Sequence, residues 1–161
     1  MAHTYSQLLY HVVFSTKFRE RLIVPEVRDR LHPYMVGVVR NKRGEIPAVG
    51  SMPDHVHLLV RLKPHRSLSD LLRSVKSNSS RFVREQVGLP EFTWQEGFSA
   101  FSVSKSDAPA VCRYIQRQEE NHRRRSFEKE WINLLERHGI EYDPAEPFGD
   151  KPTRARRATH S

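Results

Sequence analysis

Apolar residues recur along the chain at two spacings, and these spacings predict its elements. Residues 7–14 read as a strand, with Leu8, Tyr10, Val12 and Phe14 on one face and Leu9, His11 and Val13 on the other. From Pro25 to about residue 39, Val27, Leu31, Met35 and Val38 have helical spacing, and Pro25 suits a first helical turn. Pro33 interrupts that stripe, so a bend is expected there, or a helix regular at one end only. Residues 46–50 and 55–62 read as two strands joined by a tight turn at Ser51-Met52-Pro53-Asp54. Residues 67–87 then carry Leu68, Leu71, Leu72, Val75, Phe82 and Val83 on one helical stripe. A strand over 98–103 follows. The next helix has Ser106 or Asp107 as its cap and Pro109 in its first turn, and is expected to run to about residue 124. Phe127, Trp131, Leu134 and Leu135 mark a last short helix that Gly139 stops.

Strand, helix, two strands, helix, strand is the order of a ferredoxin-like, RRM-like α+β sandwich. The expectation is an antiparallel sheet with helices on one face and an added C-terminal helix carrying Tyr114. Residues 1–149 then form one domain, and 150–161 form a basic, disordered tail.

Composition narrows the class. No apolar run approaches the roughly 20 residues that span a bilayer, and the first residues lack the pattern of a signal peptide. The single cysteine, Cys112, excludes an internal disulfide framework and a cysteine-based zinc site, which points to the cytoplasm. The net charge of +8 favours a polyanionic partner. Half of that excess, Lys151, Arg154, Arg156 and Arg157, lies in the tail. Nucleic acid is therefore plausible on charge, but charge does not identify it.

Two patterns carry chemistry. On a strand, His55 and His57 point to one face about 7 Å apart, while Val56, Leu58 and Val60 point to the other. Two imidazoles at that spacing can share one metal ion, although His-x-His also occurs as two ordinary half-exposed histidines. Asp54 beside them either bonds a histidine or serves the turn. On the helix after Asp107, Tyr114 and Gln118 are four residues apart and share a face, and His122 extends the row. A tyrosine hydroxyl can attack phosphorus and hold a broken strand. With a pKa near 10, only about one in a thousand is phenolate at pH 7, so its surroundings must activate it. The amide oxygen of Gln118 is a hard donor compatible with magnesium or manganese. The plain alternative is a packed tyrosine beside a solvated glutamine. Arg113, Arg117, Arg123, Arg124 and Arg125 either reach phosphates or form a solvated basic face. Trp94, Phe98 and Phe101 either stack on bases or fill the core.

Together these residues resemble the HUH-class single-tyrosine transposases of the IS200-like type. The likeness runs roughly from Tyr5 to Tyr142. It includes His11-Val12-Val13-Phe14-Ser15-Thr16-Lys17, Asp54-His55-Val56-His57-Leu58-Leu59, the segment from Trp94 to Ser104, and Arg113-Tyr114-Ile115-Gln116-Arg117-Gln118. The resemblance implies that Tyr114 is the nucleophile and that His55, His57 and Gln118 bind Mg2+ or Mn2+. It implies cleavage and rejoining of single-stranded DNA at hairpin-bearing ends through a 5′-phosphotyrosine, by a homodimer in which the tyrosine helix can act in trans. Arg73, Lys76, Arg81, Arg84 and Arg117 are candidate phosphate contacts, and a cytoplasmic, nucleoid-associated location follows. Two other functions are compatible: a host-retained nuclease that processes hairpins, and a module that binds DNA hairpins without cutting them.

Overall fold

A computed structural model describes residues 3–123 and 125–144 of the chain. Four strands, β1 (Leu9–Ser15), β2 (Glu45–Met52), β3 (His55–Arg61) and β4 (Ser99–Val103), form one antiparallel sheet in the order β2-β3-β1-β4. This is the ferredoxin-like order expected from the sequence. The predicted basic tail at 150–161 and Arg124 lie outside the described residues.

Two long helices cover one sheet face, α1 (Pro25–Asn41) and α2 (Leu68–Phe82). Val27, Leu31, Met35 and Val39 recur every four residues on α1 and are buried against Val12, Phe14, Val56, Leu58 and Val60 of β1 and β3. Burial of that stripe carries the helix through Pro33, which does not end it. On α2, Leu71, Leu72 and Val75 complete the same core, and the Ser67 hydroxyl caps the helix by accepting from the Asp70 N–H. Trp94 also belongs to this core, donating its Nε1–H to Ser79 Oγ at 2.9 Å. Its burial, and that of Phe101, favours packing over base stacking for both rings.

The opposite sheet face is covered too, by α3 (Ala108–Gln116), α4 (Gln118–His122) and α5 (Phe127–Arg137). The single helix expected from 107 to about 124 is two helices, broken at Arg117, whose φ of −108° and ψ of 37° are not helical. Side chains take up the carbonyl exposed at the break, for Asn121 Nδ2 donates to Tyr114 O at 2.9 Å and Gln118 Nε2 donates to it at 3.3 Å. Ser126 caps α5 and Gly139, with φ of 67°, follows its end.

Candidate catalytic and metal site

Strand alternation puts Val56 and Leu58 into the α1/α2 core, and so turns His55 and His57 to the other face. Both rings are fully buried there. His11, on the same face of β1, brings its Nε2 within 2.8 Å of His57 Nδ1. Asp54 Oδ1 lies 2.8 Å from His55 Nδ1, so this aspartate orients a histidine in addition to closing the turn.

The tyrosine arrives because α3 lies close on β2. A Cβ at Gly50 would stand 1.9 Å from the carbonyl oxygen of Ile115, so only glycine permits this approach. Gly50 pairs with His57 across the sheet, and Ile115 is fully buried beside it. Tyr114, the next residue, therefore hangs over the histidines, its ring 5.9 Å from that of His57 and 6.1 Å from that of His11.

Glu130 of α5 occupies the centre. It is 1% exposed, and its Oε1 lies 3.0 Å from His57 Nε2, 3.1 Å from His122 Nε2 and 3.4 Å from His55 Nε2. Its Oε2 accepts the hydroxyl of Tyr114. Phe127, one turn earlier on α5, lies flat on the His55 ring at 3.7 Å between centroids. Gln118, 2% exposed, points its Oε1 at His55 Nε2 from 3.3 Å.

These contacts set the charges. Burial opposes ionisation of Glu130, but hydrogen bonds from His122, His55 and His57 outweigh it and hold the carboxylate far below its usual range. Burial likewise opposes a charge on His55, yet bonds to Asp54 and Glu130 raise its pKa. Burial lowers the pKa of His57, and lowers that of His11 to about 3, so both rings are neutral near pH 7. A neutral His57 that donates from Nε2 to Glu130 accepts at Nδ1 from His11, and this tautomer is assigned from those partners. Burial, then the neighbouring Glu130 charge, pushes the Tyr114 hydroxyl above its ordinary value and keeps it a phenol.

The structure brings Tyr114, His55, His57 and Gln118 together. The phosphate candidates separate. Arg117 is exposed at the break beside Gln118, whereas Arg73, Lys76, Arg81 and Arg84 belong to α2 or the turn after it, with the sheet between them and Tyr114. Three central groups were not assigned from sequence: Glu130, His122 and His11. Glu130 did leave a signal, since it is an acid on the buried stripe Phe127, Glu130, Trp131, Leu134, Leu135. A charge at such a position requires a partner.

The donor set fits a divalent cation. One ligand atom each from His55, His122 and Glu130 lie within 4.8 Å of one another. Imidazole nitrogen and carboxylate oxygen are both donor types that bind divalent metal ions.

The chain is similar to known transposases. The family described as "Transposase IS200 like" matches residues 4–118. The ISDra2 transposase TnpA of Deinococcus radiodurans is 28% identical over 120 residues, covering 70% of this chain and 84% of that protein. The transposase for insertion sequence element IS200 of Salmonella typhimurium is 28% identical over 124 residues, covering 73% and 81%. Among solved structures, a Deinococcus radiodurans protein assigned as a transposase superposes with a TM-score of 0.59 at 26% identity, over 71% of this chain and 93% of that one. A REP-associated tyrosine transposase bound to a REP hairpin shares the fold, with a TM-score of 0.57 at 20% identity over 76% and 73% of the two chains. Among the described residues, no helix is long and apolar enough to cross a membrane.

Proposed function

We propose that this chain, which belongs to the IS200-like transposase family, cleaves and rejoins single-stranded DNA at hairpin-bearing ends with Tyr114 as its nucleophile. The observation that carries this reading is the contact of the Tyr114 hydroxyl with a carboxylate that is itself bonded to the buried His55 and His57 and the partly buried His122. A hydroxyl so placed is oriented by a hydrogen-bond acceptor and stands beside a candidate metal site.

In this mechanism the Tyr114 oxygen attacks the phosphorus and the bond from phosphorus to the 3′ oxygen breaks. The products are a 5′-phosphotyrosine and a strand ending in a 3′-hydroxyl, the leaving oxygen taking its proton from water. Glu130 Oε2 accepts the hydroxyl's hydrogen bond and orients the Tyr114 oxygen, and because its own pKa is held far below the usual range the proton goes on to water as the bond to phosphorus forms. A 3′-hydroxyl of a second strand then attacks the phosphotyrosine, and the released Tyr114 oxygen regains its proton. One phosphodiester replaces another, so no nucleotide hydrolysis is required. His55, His57 and Gln118 would hold a Mg2+ or Mn2+ ion, His57 by moving its proton to Nδ1 where His11 Nε2 would accept it, with His122 and Glu130 within reach, and such an ion would supply charge stabilisation for the phosphoryl oxygens. His11 keeps the His57 ring in place, and Asp54 does the same for His55.

The hairpin in the REP-associated relative supports a folded DNA end as partner. In this reading Arg117 meets the strand near the break, while Arg73, Lys76, Arg81 and Arg84 grip duplex phosphates on the other side of the sheet. A homodimer brings two ends together, each copy with its own histidines.

The test is to incubate the protein with single-stranded DNA from both flanks of its gene, with Mg2+ or Mn2+, and to run a denaturing gel. A metal-dependent covalent adduct is expected, abolished by Tyr114→Phe and strongly reduced by His55→Ala. An adduct that survives Tyr114→Phe would sink the assignment. Hairpin binding without any adduct, across both ions, would make the protein a binding module.

A further inference from the structure

Next to Tyr114, α3 and α5 diverge and leave a cleft of about 910 Å3. This is within the roughly 300–1,000 Å3 of pockets that take small ligands. One wall is the α3 row Asp107, Ala110, Val111 and Tyr114, and the other is the α5 row Glu130, Asn133, Leu134 and Arg137. Both rows follow the three- and four-residue spacing of a single helix face. Phe101, Ser102 and Val103 of β4 also line it, together with His11, His138 and the exposed Arg125.

The cleft has the composition of a nucleotide seat. Of its apolar lining, Phe101 and Leu134 are buried, with the His138 ring stacked on Phe101 at 4.5 Å, so Ala110 and Val111 on the α3 wall are the apolar surface open to a base. Asn133 is exposed on the α5 wall and offers a donor and an acceptor together, which is what a base edge requires. Arg125 and Arg137 are both exposed and both act on the Tyr114 hydroxyl, pulling its pKa down against the larger effects of burial and Glu130. A phosphate brought to that hydroxyl therefore lies in the field of two guanidinium groups. Asp107 and Glu136, exposed on the lining, disfavour a second phosphate beside them.

We propose that this cleft seats the unpaired nucleotide adjoining the scissile phosphate, with Arg125 and Arg137 gripping the phosphate and Asn133 reading the base. The inference rests on the reading of Tyr114 as nucleophile, and it assigns part of the cleavage-site preference to α5.

The break made by the wild-type protein with Mn2+ is first mapped on single-stranded DNA from the gene's flanks. Single-turnover adduct rates are then measured on oligonucleotides varied at the nucleotide on each side of that break. The double variant Arg125→Ala/Arg137→Ala is expected to slow adduct formation by about tenfold or more, with partial recovery when Arg137→Lys replaces Arg137→Ala. Asn133→Ala is expected to weaken base preference at one adjoining position by roughly fivefold and to leave the others unchanged, which a merely structural role would not do. All three side chains are exposed, so these variants keep the fold. If Tyr114→Phe abolishes the adduct while the arginine and Asn133 variants stay within about twofold of wild type in rate and preference, the cleft proposal is overturned and the nucleophile stands. An adduct independent of Tyr114 overturns both.

Discussion

Glu130 concentrates most of the site's electrostatics in one side chain. Its carboxylate contacts three histidines, the charge-favouring His55 among them, and also holds the Tyr114 hydroxyl. Removing one member of a buried charge pair leaves the other uncompensated, at about 3–5 kcal/mol. Glu130→Ala is therefore expected to lower stability by about that amount in urea titrations with chelator present, and an unchanged midpoint would mean that His55 is not charged in the fold. Two other histidines set a pH dependence. Burial lowers the pKa of His32, bonded to Ser51, to about 4, and that of His11 to about 3. Each binds a proton more readily when unfolded, so its contribution is fully present above the unfolded pKa near 6.5 and is lost as pH falls toward the folded value. In that window each such group steepens the loss of stability by up to about 1.4 kcal/mol per pH unit. His32→Asn should flatten the profile between pH 4 and 6.5 relative to wild type, as measured by denaturation at several pH values.

At the scale of elements, delivery of Tyr114 depends on how closely α3 approaches the sheet. Gly50 makes that approach possible, and Gly37, on α1, has open space where a Cβ would go. The two glycines predict opposite outcomes. Gly50→Ala should destabilise by about 1–3 kcal/mol through overpacking and lower the adduct yield by displacing α3. Gly37→Ala should stabilise by about 0.5–1 kcal/mol, because alanine loses less backbone entropy in a helix. Melting temperatures of the two variants check both signs. The break at Arg117 acts on the same element. An unbroken helix carries Tyr114, Gln118 and His122 along one row, whereas the break redirects α4 so that Gln118 meets His55 and His122 meets Glu130.

In the whole molecule, Tyr114 meets the histidines of its own chain, through an α5 that crosses the sheet face and closes the site. If this arrangement also acts on DNA, mixing inactive Tyr114→Phe with inactive His57→Ala protein should not restore adduct formation. Recovery approaching a quarter of wild-type yield would mean that subunits exchange their tyrosine helices. Much of this architecture is legible in the chain. Period-two alternation at 7–14 and 55–62 and the four-residue rows of α1 and α2 define the sandwich, because one face of each element had to be apolar. The same alternation commits His55 and His57 to the face away from that core, and the spacing of Tyr114 and Gln118 marks the tyrosine helix. Which side chains converge on those histidines is a different kind of information. Glu130 and His11 lie 73 and 46 residues from His57, and no local period relates positions so far apart. Only packing of α5 and β1 onto the sheet brings them within hydrogen-bonding distance. The break at Arg117 is likewise a tertiary outcome, since the segment reads as continuous helix in sequence, whereas in the fold Gln118 meets His55, His122 meets Glu130, and the Gln118 and Asn121 side chains donate to the Tyr114 carbonyl.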